Sequence, residues 1–374
     1  MRKKLILGVT VGGSSRLLDG QAKYFKDLGY EVYLISQDHF KEPIFCQKEG
    51  ITHLPVKSLM ADIHPLKDIK ALFQIIKHFK KVKPDIVNLG TPKIALLGML
   101  AAKLLGVKKR VYTCRGHRFE TEMGFKRKIL LMMEKLTVWC AHEVIYVSKS
   151  LKEKAKQNGL ENPKKSNLIG LGSSNGVDVS AFNRDAISES DRNKLIEKYQ
   201  LQNKLCIGFV GRVSLHKGAY ELVEVFDKLY KKNKDIRLIM MGHRKCDPKF
   251  DDYIQNHQGI VLIPFQDNVP LYMSLFDIFV LPSWREGFPN VPIQAAAMGL
   301  PVVVSDATGC VDAVNLNVNG YIFKTKDKTS LYNMLNHLVY NQKERQLLGV
   351  EGEKWAQNFN QLNVWSGINK IYSK

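Results

Sequence analysis

The chain has 374 residues, 45% of them apolar, enough to fill two ordinary cores, so disorder as the dominant state is excluded. Its six cysteines (Cys46, Cys114, Cys140, Cys206, Cys246 and Cys310) show no CxxC pair and no His/Cys ligand cluster, which argues against a disulfide scaffold and a structural zinc site. The formal charge is +20: residues 1–183 carry 32 basic and 16 acidic side chains, residues 184–374 only 24 and 20, so the first half holds the excess that an anionic membrane or a nucleic acid would attract.

No stretch reaches the roughly 18 uninterrupted apolar residues that span a bilayer; the longest candidate, Ile94 to Val107, is broken by Lys103. The opening MRKKLILGVTVGG is basic then apolar, but its apolar part is short and no small-residue cleavage site follows. Leu5 to Val11 therefore reads as a buried first strand, and the expected compartment is cytoplasmic. Gly12-Gly13 closes that strand, and the amphipathic stretch Leu17 to Leu28 predicts a helix ended by Gly29. Glu31 to Ser36 is strand-like, Ile69 to Lys81 helical, Asp85 to Leu89 strand-like and Lys93 to Leu105 helical. Lys109 to Thr113 follows as strand, Phe125 to Ala141 as helix and Glu143 to Val147 as strand, with Ser148 placed to cap a helix through Asn158. The alternation pauses in the Gly, Ser and Asn-rich stretch between Gly159 and Asp185, which sets the expected domain boundary at 183/184. It resumes with a helix over Ser188 to Tyr199 and strands at Lys204 to Val210, Ile236 to Met241, Ile260 to Ile263, Ile278 to Leu281 and Pro301 to Ser305. Helices are predicted between them at Gly218 to Lys231, Val269 to Phe276 and Pro292 to Met298. Such alternation predicts two doubly wound α/β domains with parallel sheets, whose ligands sit at the carboxyl ends of the strands.

Four segments could carry chemistry. In PSWREGFPNVPIQAAAMG (282–299) a carboxylate, Glu286, and free amides meet at a strand-to-helix turn, an arrangement suited to a hydroxylated, phosphate-bearing ligand; the plain alternative is an ordinary turn. In GFVGRVSLHKG (208–218) a buried strand ends at Gly211 and delivers Arg212 and Lys217, which can hold a diphosphate and stabilise charge growing on it. Gly12-Gly13 is not the GxGxxG dinucleotide fingerprint. After the strand at 109–113, Arg115, His117 and Arg118 are carried towards the same edge, and His117 is a candidate acid or base.

Two basic amphipathic helices bear on the charge. One places Ile69, Leu72, Phe73, Ile76 and Phe79 at helical spacing; the other has Phe125, Ile129, Met132, Met133 and Leu136 on one face, with Lys126, Arg127 and Lys128 beside it. Apolar surface next to a cationic run suits a membrane interface, and the alternative is that both faces are core. No nucleic-acid recognition pattern is present, so nucleic acid ranks below the membrane as a partner.

In order and spacing these segments resemble the retaining GT-B glycosyltransferases of family 4. The resemblance runs through KPDIVNLGTPK, RVYTCRG, EVIYVSKSL, NGVD, GFVGRVSLHKG, IMMG, the 282–309 segment and NG at 319–320. It is strongest to bacterial transferases that build capsular or surface polysaccharides on a polyprenyl diphosphate lipid. The resemblance implies two Rossmann-like domains facing across a cleft. Residues 1–183 would face the acceptor and the membrane, residues 184–374 would hold the donor, and the last helix could pack back on the first domain. It implies that Arg212 and Lys217 grip the donor diphosphate and that Glu286 holds donor-sugar hydroxyls. Gly211, Gly287, Phe288, Pro289 and Asn290 would line the sugar and phosphate, and Gly12 and Gly13 would approach the phosphates. The base would lie near Phe265, Gln266, Val269 and Leu271. The family's second carboxylate, which binds the ribose, is replaced here by Gln294, an amide that can donate and accept. Where many relatives place a His facing the donor sugar this chain has Arg115, with His117 two residues on, and both remain candidates for that contact.

The expected activity is transfer of a sugar, with a mild preference for an N-acetylated hexosamine, from a UDP-sugar to a polyprenyl diphosphate-linked acceptor. It would need no metal or other cofactor, and would take place at the inner face of the cytoplasmic membrane. A family member with a soluble acceptor, a nucleotide-sugar epimerase, and a non-catalytic protein binding anionic surfaces or nucleic acid are the alternatives.

Overall fold

The computed structural model describes residues 2–374 and divides into two compact units, each with its own parallel sheet. The first unit runs to Asn175 and takes back Gln361–Lys374; the second is Gly176–Asn360. The division thus falls at 175/176 and not at 183/184. Val177 already belongs to the second unit, where its amide donates to the Phe359 carbonyl at 2.8 Å, a long-range bond that a loop-rich stretch of sequence does not announce.

The first unit alternates β1 (Lys4–Gly8), α1 (Gln21–Asp27), β2 (Glu31–Gln37), α2 (Lys41–Glu49), β3 (Thr52–Val56), α3 (Pro65–Val82), β4 (Ile86–Leu89), α4 (Pro92–Leu104), β5 (Lys109–Cys114), α5 (Gly124–Cys140), β6 (Glu143–Tyr146), α6 (Lys149–Gln157) and β7 (Ser166–Leu168). The sheet order is β3-β2-β1-β4-β5-β6-β7. Leu5, Ile6 and Leu7 are all buried, as a central strand covered on both faces requires. The predicted helix from Leu17 is shorter than its apolar pattern. Ser14–Leu18 forms a 3₁₀ turn, and α1 begins only after Gly20, whose φ of 74° interrupts a right-handed helix. The strand β3 escaped prediction because it contains Pro55, tolerated here because β3 lies at the sheet edge.

The second unit contains α7 (Glu189–Lys198), β8 (Leu205–Val210), α8 (Ala219–Lys232), β9 (Ile236–Met241), α9 (Pro248–Asn256), β10 (Ile260–Ile263), α10 (Val269–Met273), β11 (Ile278–Leu281), α11 (Asn290–Ala297), β12 (Val302–Ser305), β13 (Gly320–Phe323), α12 (Lys328–Tyr340) and α13 (Gln342–Ala356). Its sheet order is β10-β9-β8-β11-β12-β13. In each sheet the order reverses beside the unit's first strand, between β1 and β4 and between β8 and β11. The crevice at such a reversal, outside the carboxyl ends of the strands, is where ligands bind in this architecture.

The last helix, α14 (Gln361–Ser373), closes the first unit. Its residues Val364, Trp365, Ile368, Ile371 and Tyr372 share one face and pack with Phe25 in the core. Trp365 donates its indole N–H to the Asn175 side chain at 2.8 Å, and Asn88 donates to the Tyr372 hydroxyl at 2.7 Å. Trp365→Ala is expected to cost about 3–5 kcal/mol, the range for removing a large buried aromatic. Denaturant unfolding that resolves the first unit's transition checks this, with the second unit's transition unmoved.

Candidate functional site

In the second unit the loops after β8 and β11 are locked together. Gly218 has φ 70°, and a Cβ there would stand 2.0 Å from the Pro282 carbonyl oxygen, so only glycine allows the two loops to approach this closely. The contact is reinforced by the Trp284 amide, which donates to the His216 carbonyl at 3.0 Å, and by the Trp284 indole, which donates to Glu221 at 3.1 Å. Within that clamp the Lys217 ammonium pairs with the Glu286 carboxylate, at side-chain exposures of 23% and 15%. The Glu286 amide donates to the Thr308 carbonyl at 3.0 Å. A third loop presses from the other side: a Cβ on Gly309 would lie 2.4 Å from the Gly287 carbonyl oxygen. Arg212, delivered by Gly211 at the end of β8, is exposed and has no ion pair or hydrogen bond among the described residues.

Asn290 opens α11. Its side-chain nitrogen donates to the Gly176 carbonyl at 3.2 Å, while its side-chain oxygen is buried with no partner among the described residues. Gln294 lies one turn further on the same helical face, half-buried. Phe288 is a packing anchor, its ring 5.3 Å from that of Phe359, so what it and Pro289 can offer a ligand is backbone. On the other side of β8, Phe265 after β10 stacks on His243 after β9, centroids 5.4 Å apart at 13°. Gln266, Val269 and Leu271 are half-buried beside it, with Asn268 capping α10. All of these residues lie at or near the carboxyl edge of one sheet. A cation pair, a carboxylate, an exposed aromatic face and an unmatched amide oxygen together can hold a phosphorylated, hydroxylated ligand bearing a flat ring.

In the first unit the Gly12-Gly13 loop follows β1. The Gly12 amide donates to Gln37 at 3.1 Å and the Gly13 amide to the buried Glu42. Both amides are therefore taken by side chains of their own unit, so this loop can offer a phosphate close backbone approach but not these two N–H groups.

Arg115 and His117 part company after β5. Arg115 is half-buried, and its Nη1 donates to the Ser174 carbonyl at 2.6 Å and to the Ser174 hydroxyl. His117 is 1% exposed, stacked on Phe119, with Nδ1 3.5 Å from Glu134 Oε1 and 3.7 Å from Cys114 Sγ. Burial opposes charge on its ring, but Cys114 and Glu134 favour it more, and the balance raises the pKa to about 11. A buried imidazolium tied to a carboxylate holds the turn after β5. The sequence offers His117 as a candidate acid or base; in the structure it is buried and paired with Glu134.

Sequence reasoning missed this cluster. Cys114, His117 and Glu134 offer ligand atoms that all lie within 4.8 Å, but Glu134 arrives from α5 and was invisible to a search for His/Cys spacing. The Tyr112 hydroxyl also donates to Glu134, at 2.6 Å, so the group is already satisfied as an ion pair with hydrogen bonds. Beside it a small cavity of about 50 Å³ is lined by Leu96, Leu97, Phe119, Leu130, Met133 and Glu134.

The amphipathic faces are only partly core. In α5 the buried residues are Glu134, Thr137, Val138 and Cys140, while Phe125 is 77% and Met132 66% exposed, with Leu136 and Trp139 also outward. In α3, Ala71, Ile75 and Phe79 are buried, but Leu66, Ile69 and Phe73 are exposed. Both helices pack against α4, so the exposed stripes belong to one layer of the first unit. Of the three cations predicted to face a membrane, Lys126 pairs with Glu122 at 2.8 Å, Arg127 donates to Asn158 at 2.6 Å, and Lys128 is exposed.

Comparison with known proteins matches both units to families. Residues 11–180 match "Glycosyltransferase Family 4" and residues 191–355 match "Glycosyl transferases group 1". The capsular polysaccharide biosynthesis glycosyltransferase CapM of Staphylococcus aureus is 34% identical over 99% of this chain and 97% of its own length. An Escherichia coli protein, UDP-Gal:alpha-D-GlcNAc-diphosphoundecaprenol alpha-1,3-galactosyltransferase, is 26% identical over 82% of this chain and 81% of its own. Among solved structures, Anabaena HepE in complex with UDP superposes with a TM-score of 0.79 at 19% identity, covering 99% of both chains. With identity above 30% over nearly full length, and with a doubly wound parallel sheet in each unit, the chain is a glycosyltransferase of the GT-B fold and belongs to family 4.

Proposed function

We propose that the chain transfers a sugar from a UDP-sugar to a polyprenyl diphosphate-linked acceptor, with retention of configuration, in the assembly of a capsular or other surface polysaccharide. The observation that carries this reading is the Lys217–Glu286 pair, clamped at the carboxyl edge of the second unit's sheet beside the exposed Arg212. A donor diphosphate supplies the anion for which Lys217 leaves Glu286, and the freed carboxylate accepts from the sugar hydroxyls. As the bond from sugar to diphosphate breaks, negative charge grows on the leaving oxygen, and Arg212 and Lys217 stand where they can stabilise it without a divalent ion. Phe265 offers its face to the base, and the Gln294 amide bonds to the ribose hydroxyls, as it can both donate and accept. The E. coli relative, whose name specifies a UDP-sugar and a diphosphoundecaprenol acceptor, and the UDP complex of HepE support the choice of donor and acceptor class.

The acceptor's lipid calls for a bilayer surface. The exposed Leu66, Ile69 and Phe73 of α3 and Phe125, Met132 and Trp139 of α5 form the apolar component, and the net positive charge of this half of the chain complements anionic headgroups. The protein then works peripherally on the cytoplasmic face of the membrane. No helix among the described residues is long and apolar enough to cross it.

Lys217→Ala and Arg212→Ala are each expected to lower turnover by roughly two to three decades, the scale of removing one preorganised donor. Steady-state transfer from the preferred UDP-sugar measures this, and near-wild-type rates in either variant would remove the assignment. Glu286→Ala is expected to damage use of the sugar while calorimetry shows UDP affinity largely retained; equal loss of both would make Glu286 a purely structural partner of Lys217. Replacing Lys126, Arg127 and Lys128 together by Gln is expected to weaken co-sedimentation with vesicles rich in phosphatidylglycerol by roughly tenfold or more. Unchanged sedimentation would take α5 out of the contact.

A further inference from the structure

The inward cations of the first unit show how this fold neutralises positive charge. Lys93 pairs with Asp68 at 2.7 Å, Lys109 with Glu143 at 3.1 Å and His117 with Glu134 at 3.5 Å. Arg110 has no carboxylate, but its Nε donates to the Cys140 carbonyl at 2.7 Å and its Nη1 to the Val107 carbonyl at 2.9 Å. Cys140 is the last residue of α5, so the negative end of that helix serves as the counter-charge.

Arg115 is built differently. Among the described residues it has no salt bridge, and its Nη1 is fixed by the carbonyl and hydroxyl of a neutral residue, Ser174. Its Nε is buried with no acceptor among the described residues. Burial lowers its pKa to about 10, so the guanidinium is still charged at neutral pH. The one ionisable neighbour that would favour that charge, Tyr372, is itself buried and has its pKa pushed up, so it stays neutral. The chain also makes room for this side chain: a Cβ on Gly90, in the loop after β4, would stand 2.8 Å from Nε. A guanidinium withdrawn from water without a counter-charge is unfavourable, and it pays back only when an anion arrives. Arg115 lies just past the end of β5, keeps part of its surface exposed, and so can be reached by a ligand oxygen.

We propose that Arg115 is the recognition site for an oxyanion of the substrate, either the carboxylate of a uronic-acid sugar or a phosphate oxygen of the lipid-linked acceptor. This rests on the reading of the chain as a UDP-sugar:lipid-diphosphate transferase. The planar fork of arginine suits such a group, since it can donate two parallel bonds to carboxylate or phosphate, which a lysine cannot.

The test is a set of binding ratios in the wild type, Arg115→Gln and Arg115→Lys. The donor arm compares UDP-glucuronate with UDP-glucose by calorimetry. The acceptor arm compares N-acetylglucosaminyl-diphospho-undecaprenol with the same sugar on a neutral undecyl chain. The wild type is expected to favour the charged member about tenfold or more in one arm, with the preference lost in Arg115→Gln and partly kept in Arg115→Lys. The arm that responds names the source of the oxyanion. Ratios equal in the wild type and Arg115→Gln in both arms would overturn the proposal. Melting of the unliganded proteins is an independent readout. Removing an uncompensated cation should leave Arg115→Gln as stable as the wild type, whereas a fall beyond about 4 °C would mark Arg115 as a structural clamp and overturn the site. Failure of UDP to bind any of the three proteins would instead reject the donor assignment, and the acceptor arm and the melting comparison would still decide on Arg115.

Discussion

The second unit depends on one close approach, that of Gly218 to the carbonyl of Pro282. A side chain at 218 would drive apart the loops that follow β8 and β11, and with them Lys217 and Glu286. The cation and carboxylate arise from segments almost seventy residues apart, Lys217 at the end of a single 3₁₀ turn (Leu215–Lys217) and Glu286 in a loop. The pair is half-sheltered, so its charges interact more strongly than on an open surface, yet they remain within reach of a ligand that can exchange partners with both. The third loop, held by the Gly309–Gly287 approach, keeps Glu286 from relaxing away.

The two sheets share the order of their first six strands, but the loops at their carboxyl edges are differently occupied. In the second unit Arg212 is unengaged and the Asn290 oxygen is unmatched. In the first unit the loop after β1 has given its amides to Gln37 and Glu42, His117 is paired with Glu134, and Arg115 is held by Ser174 with no counter-ion among the described residues. In the proposed reading the second unit takes a diphosphate, and the first a single oxyanion beside an apolar and basic helical layer.

Much of this was legible in the amino-acid sequence, for physical reasons. Strands buried on both faces, such as Ile236–Met241, write themselves as unbroken apolar runs, and glycines that permit close loop approach stand beside the polar residues they position. Arg212, Lys217 and Glu286 stand out in the sequence as candidates because each follows such a run. What stayed hidden was long-range. The Tyr112–Glu134–His117–Cys114 cluster joins β5 to a helix one turn of chain later, and periodicity says nothing about which face of α5 turns inward. Here it is the face with Glu134 and Thr137, leaving Phe125 and Met132 outside. The edge strand β3 was masked by Pro55, and the boundary at Asn175 by a backbone bond to Phe359.

The central claim is that the second unit grips a uridine diphosphate through its diphosphate. Calorimetric titration of uridine, UMP, UDP and GDP against the wild-type protein tests it most directly. The account predicts a steep rise in affinity from UMP to UDP, since only the second phosphate engages both Lys217 and Arg212, and weaker binding of GDP than of UDP. UDP binding no tighter than UMP, or GDP and UDP binding alike, would contradict it.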